Sequence, residues 1–381
     1  MKKNTAKVKK KSMAADKKPV SKNKEPGMTD IREKIDQIDI KLIKLLNQRA
    51  SLGIDIAKVK EKTGAPIFLP ARENQILKKI IKVNKGPLSN SSLAHVFREI
   101  FSGTRAVEKT LKVSCLGPAG SFSHLAALRL FGQSSVHMLG SGIDMVFTNV
   151  ERGTANFGLV PIENTIEGTV GQTLDLFIDS PVKIISETYY EIHLNLLSNV
   201  SKLDKIKTLY THYMPLGQCR GWITRNIPSA KVVQTASSAD AAINAKKTPN
   251  SASIGAHEAA RIYGLKVLAE RIEERQGNQT RFLVISMQDS PASGNDKTSI
   301  MFSTKDVSGA LSNVLRPFAT KGVNLSKIQS RPSPGKDWEY VFFADFTGHL
   351  DDPRVKWVMN KVKLQTSFLK SLGSYPAGRV D

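Results

Sequence analysis

Residues 30–62 contain no proline and a single glycine, Gly53. An unbroken stretch of that length reads as one helix of roughly 50 Å, at about 1.5 Å per residue. At about 100° per residue, Ile31, Ile35, Ile38, Leu42, Leu45, Gly53 and Ile56 all fall within about 40° of Arg49. A stripe of that length outruns any short neighbour in its own chain, so the sequence predicts that a second copy covers it. Two cations lie on the stripe, Arg49 itself and Lys60, about 20° away. An unpaired buried cation is costly, so the two require anionic partners. These are either carboxylates of the chain or a dianionic ligand held among helices. Arg32 sits about 100° away and meets the same ligand only from another copy.

Pro66 and Pro70 bracket a short connection, and Pro70 suits the first turn of a second helix, 70–83. Glu73 shares its apolar face with Leu77, Ile80 and Ile81. A third helix, 91–110, aligns Phe97, Phe101, Thr104 and Glu108. A carboxyl on an apolar stripe is expected to hold its proton and donate. Charged groups on the apolar faces of three adjacent helices point to a polar pocket for an anion.

Arg32-Glu33-Lys34-Ile35-Asp36, Gln48-Arg49, Lys58-Val59-Lys60 and Pro70-Ala71-Arg72-Glu73 resemble the all-helical chorismate mutase domain, over residues 28–110. The resemblance implies that Arg32 of a second protomer, Arg49 and Lys60 clamp the substrate carboxylates and ether oxygen. It sets Arg72 beside them and has Glu73 accept the substrate hydroxyl. Thr104 stands where relatives often carry Ser, and Glu108 where a side chain donates to the ether oxygen. Protonated Glu108 would make mutase activity fall as pH rises. Leu69 stands where some members carry an Asp that helps hold the hydroxyl. The rearrangement is unimolecular and needs no cofactor or nucleophile, only conformational restraint and electrostatic stabilisation.

From residue 111 the hydrophobic period changes. Short apolar strands at 113–116, 157–160, 232–234 and 253–254 alternate with helical stretches, which predicts an α/β fold with parallel strands. Gly117-Pro118-Ala119-Gly120-Ser121-Phe122-Ser123-His124 is a glycine-rich turn whose amides could take an anion. Ser237-Ser238 precede a helix and could cap it. There is no phosphate-loop or dinucleotide fingerprint and no metal-ligand spacing. Cys219 reads as a packed thiol, and His212 and His257 as structural.

GPAGSFSH, FGLVPIENTIEGTV, HYMPLGQC, SSADAA, IGAHEAARIYGL and NQTRF occur in the order seen in prephenate dehydratase, which residues 111–286 closely resemble. That family implies two α/β lobes, like a periplasmic binding protein, with the site in the cleft. It implies catalytic roles for Thr280, Glu163 and Asn164, and prephenate contacts for Thr211, Gln218, Ser237, Ser238 and Arg281. Loss of carbon dioxide and hydroxide makes the ring aromatic, so the enzyme has to protonate a leaving hydroxyl.

Residues 286–297 form a polar linker. Beyond it a βαββαβ order, ferredoxin-like, spans 298–375. Ser308-Gly309-Ala310-Leu311 and Gln329-Ser330-Arg331-Pro332 resemble the two phenylalanine-binding motifs of ACT domains, with Gln329 in place of the usual Glu. The resemblance implies feedback inhibition through Gly309, Ala310, Leu311, Ser330, Arg331 and Pro332.

The net charge of +22 first suggests nucleic acid. Ten lysines against two acids give residues 1–27 a charge of +8, on a segment with almost no large apolar residue, expected to be disordered. Single-strand binders interleave aromatics with cations, and this tail has none. The remaining positive charge suits dicarboxylate substrates such as chorismate and prephenate. Two cysteines, no apolar signal segment and no membrane span predict a cytoplasmic enzyme, a homodimer or homotetramer, without nucleic-acid or membrane partners. The expected fold is multidomain: an all-α domain, a two-lobed α/β domain and an α+β ferredoxin-like domain. The alternative is a prephenate or arogenate dehydratase with an inactive helical domain.

Overall fold

The computed structural model describes residues 1, 27–63, 68–332 and 340–378. The expectations for residues 2–26 of the tail and for Pro66 lie outside these residues. The chain divides into two compact units, Met1–Arg49 and Ala50–Asp381. Helix α1 (Met28–Thr63) is unbroken, as the absence of proline allows. In the first unit its apolar stripe lies open: Ile31 is 46% and Leu45 61% exposed. In the second, Ile56 is also exposed and Gly53 is buried. Helices α2 (Pro70–Val83) and α3 (Asn90–Glu108) follow. Pro70 opens the first, and the Ser89 hydroxyl accepts from Ser92 N–H to cap the second. Gly53 is required where α1 meets α3, because a Cβ there would lie 2.5 Å from Thr104 Cγ2.

The first lobe of the α/β region contains β1 (Lys112–Leu116), α4 (Phe122–Phe131), β2 (Val136–Gly140), α5 (Ile143–Glu151), β3 (Phe157–Asn164), β4 (Gly168–Thr169), α6 (Gly171–Asp179) and β5 (Lys183–Glu191). The second contains β6 (Asn195–Ser198), β7 (Thr208–Thr211), α7 (Tyr213–Gln218), α8 (Arg220–Asn226), β8 (Lys231–Gln234), α9 (Ser238–Lys247), β9 (Ser251–Gly255), α10 (His257–Tyr263) and β10 (Lys266–Ala269). The chain then returns as β11 (Gln279–Ser286) into the first lobe. The sheet orders are β2-β1-β3-β11-β5, with β4 on β3, and β10-β6-β9-β7-β8. The expectation of parallel strands holds only in part. β11 runs antiparallel between β3 and β5, and β6 runs antiparallel to β9, because the chain crosses between lobes twice. The two crossings are bonded to each other: Ile192 N–H donates to Asn278 C=O, and Leu194 N–H to the Glu273 carboxylate at 3.0 Å.

The C-terminal domain is β12 (Asp296–Ser303), α11 (Ala310–Thr320), β13 (Leu325–Pro332), β14 (Tyr340–Thr347), α12 (Pro353–Gln365) and β15 (Phe368–Pro376), in sheet order β13-β14-β12-β15. The order and antiparallel pairing are ferredoxin-like. Its Met301, Phe343, Leu372 and Tyr375 join Val160, Ile162, Leu283 and Ile285 of the first lobe in one apolar core. The Lys370 ammonium donates to three carbonyls at the end of α6, those of Phe177, Ile178 and Ser180. A cation there complements the negative end of the helix.

A buried ion network locks this junction. The Arg281 guanidinium on β11 donates to Glu187 on β5 and to Asp345 on β14, both at 2.7 Å, and to the Tyr375 hydroxyl at 3.1 Å. Glu187, wholly buried, also receives Lys297 at 2.7 Å and the Gly378 N–H at 2.8 Å. Burial pushes its carboxyl up, but Arg281 and Lys297 outweigh that and hold it below the usual carboxylate range. A depressed folded pKa contributes stability above the unfolded value, about 4.5, and loses it as pH falls through the folded one. Glu187→Gln should therefore cost about 3–5 kcal/mol at neutral pH, by leaving Arg281 and Lys297 under-paired. The deficit should shrink below about pH 4.5. Denaturant melts of both proteins across pH check this, and a pH-independent deficit contradicts it.

Candidate active sites

In the helical domain, Lys60 Nζ donates to Glu108 Oε2 at 3.1 Å, with both side chains largely buried. Thr104 and Glu108 face Gly53, so the structure brings Lys60, Thr104 and Glu108 together as expected. Glu108 thus meets the Lys60 ammonium, where the sequence reading has it donate to the ether oxygen of the substrate. Thr104 spends its hydroxyl proton on the Ile100 carbonyl, at 2.7 Å. Arg49 is half-buried on α1; Arg32 and Arg72 are exposed on α1 and α2. The Glu73 carboxylate, expected to receive the substrate hydroxyl, instead pairs with Arg105 of α3. Arg105 also donates to Phe131 C=O at 2.7 Å and lies over the Phe68 ring. Sequence reading missed Arg105, although it stands four residues after Phe101 and so close to the same face.

In the two-lobed domain three of the expected catalytic residues, Glu163, Asn164 and Thr280, stand where β3 meets β11. The register shifts between Arg281 and Phe282, so that Ile162 is an extra residue in β3. This bulge resets the alternation of side chains. Beyond it Asn164 lies opposite Thr280, and Glu163 opposite Arg281. Thr280 and Tyr190 are also paired, on the sheet face that carries Phe282 and Val284. Asn164 Nδ2 donates to Thr280 Oγ1 at 2.9 Å and to Asn278 Oδ1 at 2.8 Å. Asn164 Oδ1 accepts from the Ile166 and Glu167 N–H groups, which fixes the amide orientation. Asn278 donates to Gln218 at 2.8 Å, and Gln218 donates to Glu167 at 3.2 Å. Thr280, Asn164 and Gln218 thus belong to one network. It includes Asn278 and Glu167, which lie inside the motifs NQTRF and FGLVPIENTIEGTV but were not singled out as site residues.

Glu163 and Arg281 are on the other face of the sheet. Arg281 is spent in the buried junction and does not reach the cleft, contrary to the expected prephenate contact. Glu163 pairs with Lys327 of β13 at 2.8 Å, so the structure does not bring it together with Thr280. Ser237 caps α9: its hydroxyl accepts from Asp240 N–H and donates to the Asp240 carboxylate at 2.7 Å. Ser238 opens that helix, near Gly255. Thr211 is fully buried and donates to the His212 carbonyl. The expected prephenate contacts of Ser237 and Thr211 therefore meet hydroxyls already engaged.

The glycine-rich turn also spends its amides internally. Gly120 N–H donates to His124 Nδ1 and Ser121 N–H to Pro118 C=O, while the Ser121 hydroxyl caps α4. The turn docks on α10 instead: Tyr263 donates to Ala119 C=O, and a Cβ on Gly120 (φ +78°) would lie 3.3 Å from that of Ala259. Burial pushes the Cys219 thiol up to about 12, as befits a packed thiol. A cavity of about 230 Å³ beside the crossings is lined by Phe122, Tyr190, Glu191, His193, Glu258 and Glu270 among others. Arg271 and His257 line it as well.

In the C-terminal domain Gly309, at φ +77°, caps α11 ahead of Ala310 and Leu311. Ser330 and Pro332 are exposed on β13. Arg331 points away from them and grips Asp175 of α6 through two hydrogen bonds, at 2.8 and 2.7 Å.

Comparison with known proteins gives the same three parts in the same order. Family models match for chorismate mutase type II at residues 31–109, prephenate dehydratase at 113–290 and the ACT domain at 298–362. The bifunctional chorismate mutase/prephenate dehydratase of Aquifex aeolicus is 43% identical over 92% of this chain and 98% of its own. The enzyme of that name from Pseudomonas aeruginosa is 44% identical over 91% of this chain and 96% of its own. The crystal structure of prephenate dehydratase in complex with L-Phe from Arthrobacter aurescens has a TM-score of 0.65 at 33% identity, covering 70% of this chain and 90% of that one. No helix among the described residues is long and apolar enough to cross a membrane. The chain belongs to the family of bifunctional chorismate mutase/prephenate dehydratases.

Proposed function

We propose that the helical domain rearranges chorismate to prephenate, that the two-lobed domain converts prephenate to phenylpyruvate, carbon dioxide and water, and that phenylalanine acts on the ACT domain as feedback inhibitor. The observation that carries the second step is the hydrogen bond from Asn164 to Thr280. In the dehydration the bond from ring carbon to carboxylate breaks and its electron pair enters the ring. The ring hydroxyl then leaves as water, with one proton taken up. Because the Thr280 oxygen already accepts from Asn164, its own proton is directed to another acceptor, here the leaving hydroxyl. A neutral threonine is a weak acid, so it orients and relays a proton that water resupplies. Asn278 and Gln218 hold Asn164, and Ser238 at the start of α9 contacts a carboxylate.

In the mutase, Arg49, Lys60 and Arg32 of a second copy receive the two carboxylates and the ether oxygen, with Thr104, Arg72 and Glu73 around them. The exposed stripe on α1 is the surface that the second copy covers, making a homodimer or a dimer of dimers. A second reading, a dehydratase with a silent helical domain, draws on Leu69 and on the hold of Arg105 over Glu73. Measuring chorismate consumption separates the two.

Thr280→Ala should lower dehydratase kcat by about 10²–10⁴-fold, the usual worth of a positioned proton donor, and leave the mutase of the same chain intact. Prephenate accumulating from chorismate is the expected readout, and near-normal phenylpyruvate formation rejects the role. Gly53→Ala should force α1 off Thr104, costing about 1–3 kcal/mol of packing and lowering mutase turnover while sparing the dehydratase. Unchanged mutase turnover rejects the close packing of α1 on α3 as a requirement.

A further inference from the structure

Strand β13 alternates strictly in exposure: residues 325, 327, 329 and 331 are half-buried, and 326, 328, 330 and 332 exposed. A period of two means one face of the strand is covered. Leu325, ahead of a register shift, packs in the ACT core, whereas Lys327, Gln329 and Arg331 meet the 163–175 segment of the dehydratase domain. Lys327 Nζ lies 2.8 Å from Glu163 Oε2. The Thr169 hydroxyl donates to Gln329 Oε1 at 3.3 Å. Arg331 holds Asp175 in a bidentate pair. The Lys327 side chain is 11% exposed, its ammonium nitrogen is buried, and its pairing is ionic, without hydrogen-bond alignment. Glu163 directly precedes Asn164, the residue that orients Thr280.

We propose that β13 is the coupling strand between the ACT domain and the dehydratase site, with Lys327, Gln329 and Arg331 as a three-rung ladder on the 163–175 segment. Lys327 is a positioning residue: it acts on Glu163 and, through the backbone, on the Asn164 amide. Gln329 and Arg331, although within the effector motif, face the dehydratase domain. Ile328 and Ser330 point the other way and are left to the effector and the neighbouring ACT domain. An effector that shifts β13 along its axis strains the ladder and displaces Asn164 from Thr280. It acts by favouring one of two arrangements, as any allosteric ligand must.

This inference rests on phenylalanine being the effector, and the experiment separates the two claims. In the full chain, Lys327→Met keeps phenylalanine binding within about twofold by calorimetry, but raises the concentration for half-inhibition of the dehydratase at least about tenfold. Lys327→Arg restores sensitivity. Asp175→Asn, which opens the rung at the other end, repeats the loss. The mutase activity of each variant reports that it has folded. If Lys327→Met and Asp175→Asn are both inhibited at the unsubstituted concentration, the ladder is overturned while phenylalanine regulation stands. If the unsubstituted chain does not bind phenylalanine, the regulatory reading falls and the ladder with it.

Discussion

The Arg281 guanidinium is the tie on which the rest of the dehydratase–ACT assembly depends. It stands on β11, next to Thr280, and is buried among Glu187, Asp345 and Tyr375. Burial works against its charge, yet Asp345 and Glu187 more than compensate and hold its pKa above the ordinary arginine value. A buried cation of this kind tolerates no loss of partners. Strands β11 and β5 of the dehydratase domain and β14 and β15 of the ACT domain are therefore fixed by a single side chain. Strand β11 cannot move without disturbing the ACT domain.

The strand pair β3 and β11 is thereby two-sided. On one face Asn164 and Thr280 are hydrogen-bonded to each other, as the proposed dehydration needs; on the other Glu163 and Arg281 meet the ACT domain. The device that sorts them is the bulge at Ile162. Without the extra residue, the alternation begun by Phe157 and Leu159 would turn Glu163 toward the cleft and Asn164 away from it. The residues proposed for the chemistry and those that tie in the ACT domain are thus two adjacent pairs, back to back. The chorismate mutase domain, by contrast, is built of helices and needs no such sheet.

Much of this was legible in the sequence. The lack of proline set α1, the change of period marked the strands, and the βαββαβ order gave the ACT fold. The motifs pointed to Thr280, Asn164 and Gln218, which the structure links in one network. Pairings distant in sequence were not legible. Nothing in the pattern announces that β11 inserts antiparallel between β3 and β5, since that depends on where the chain returns. The bulge is equally silent, because Val160 and Ile162 are both apolar and Glu163 polar whichever way each points. Arg281 and Arg331 were read as ligand residues because their motifs contain them, yet their partners Asp345 and Asp175 lie 64 and 156 residues away. For Ser237, the capping reading that local sequence already offered describes the observed bonds.

The central claim is that the ACT domain acts on the dehydratase chemistry through β13 and the 163–175 segment. Amide hydrogen exchange on the full chain, with and without phenylalanine, addresses it directly, because local opening is read residue by residue. The account predicts changed protection at 163–175 and around Asn278 and Thr280, besides the ACT domain itself. Changes confined to residues 298–376, with the 163–175 segment unaltered while the dehydratase is inhibited, would contradict it.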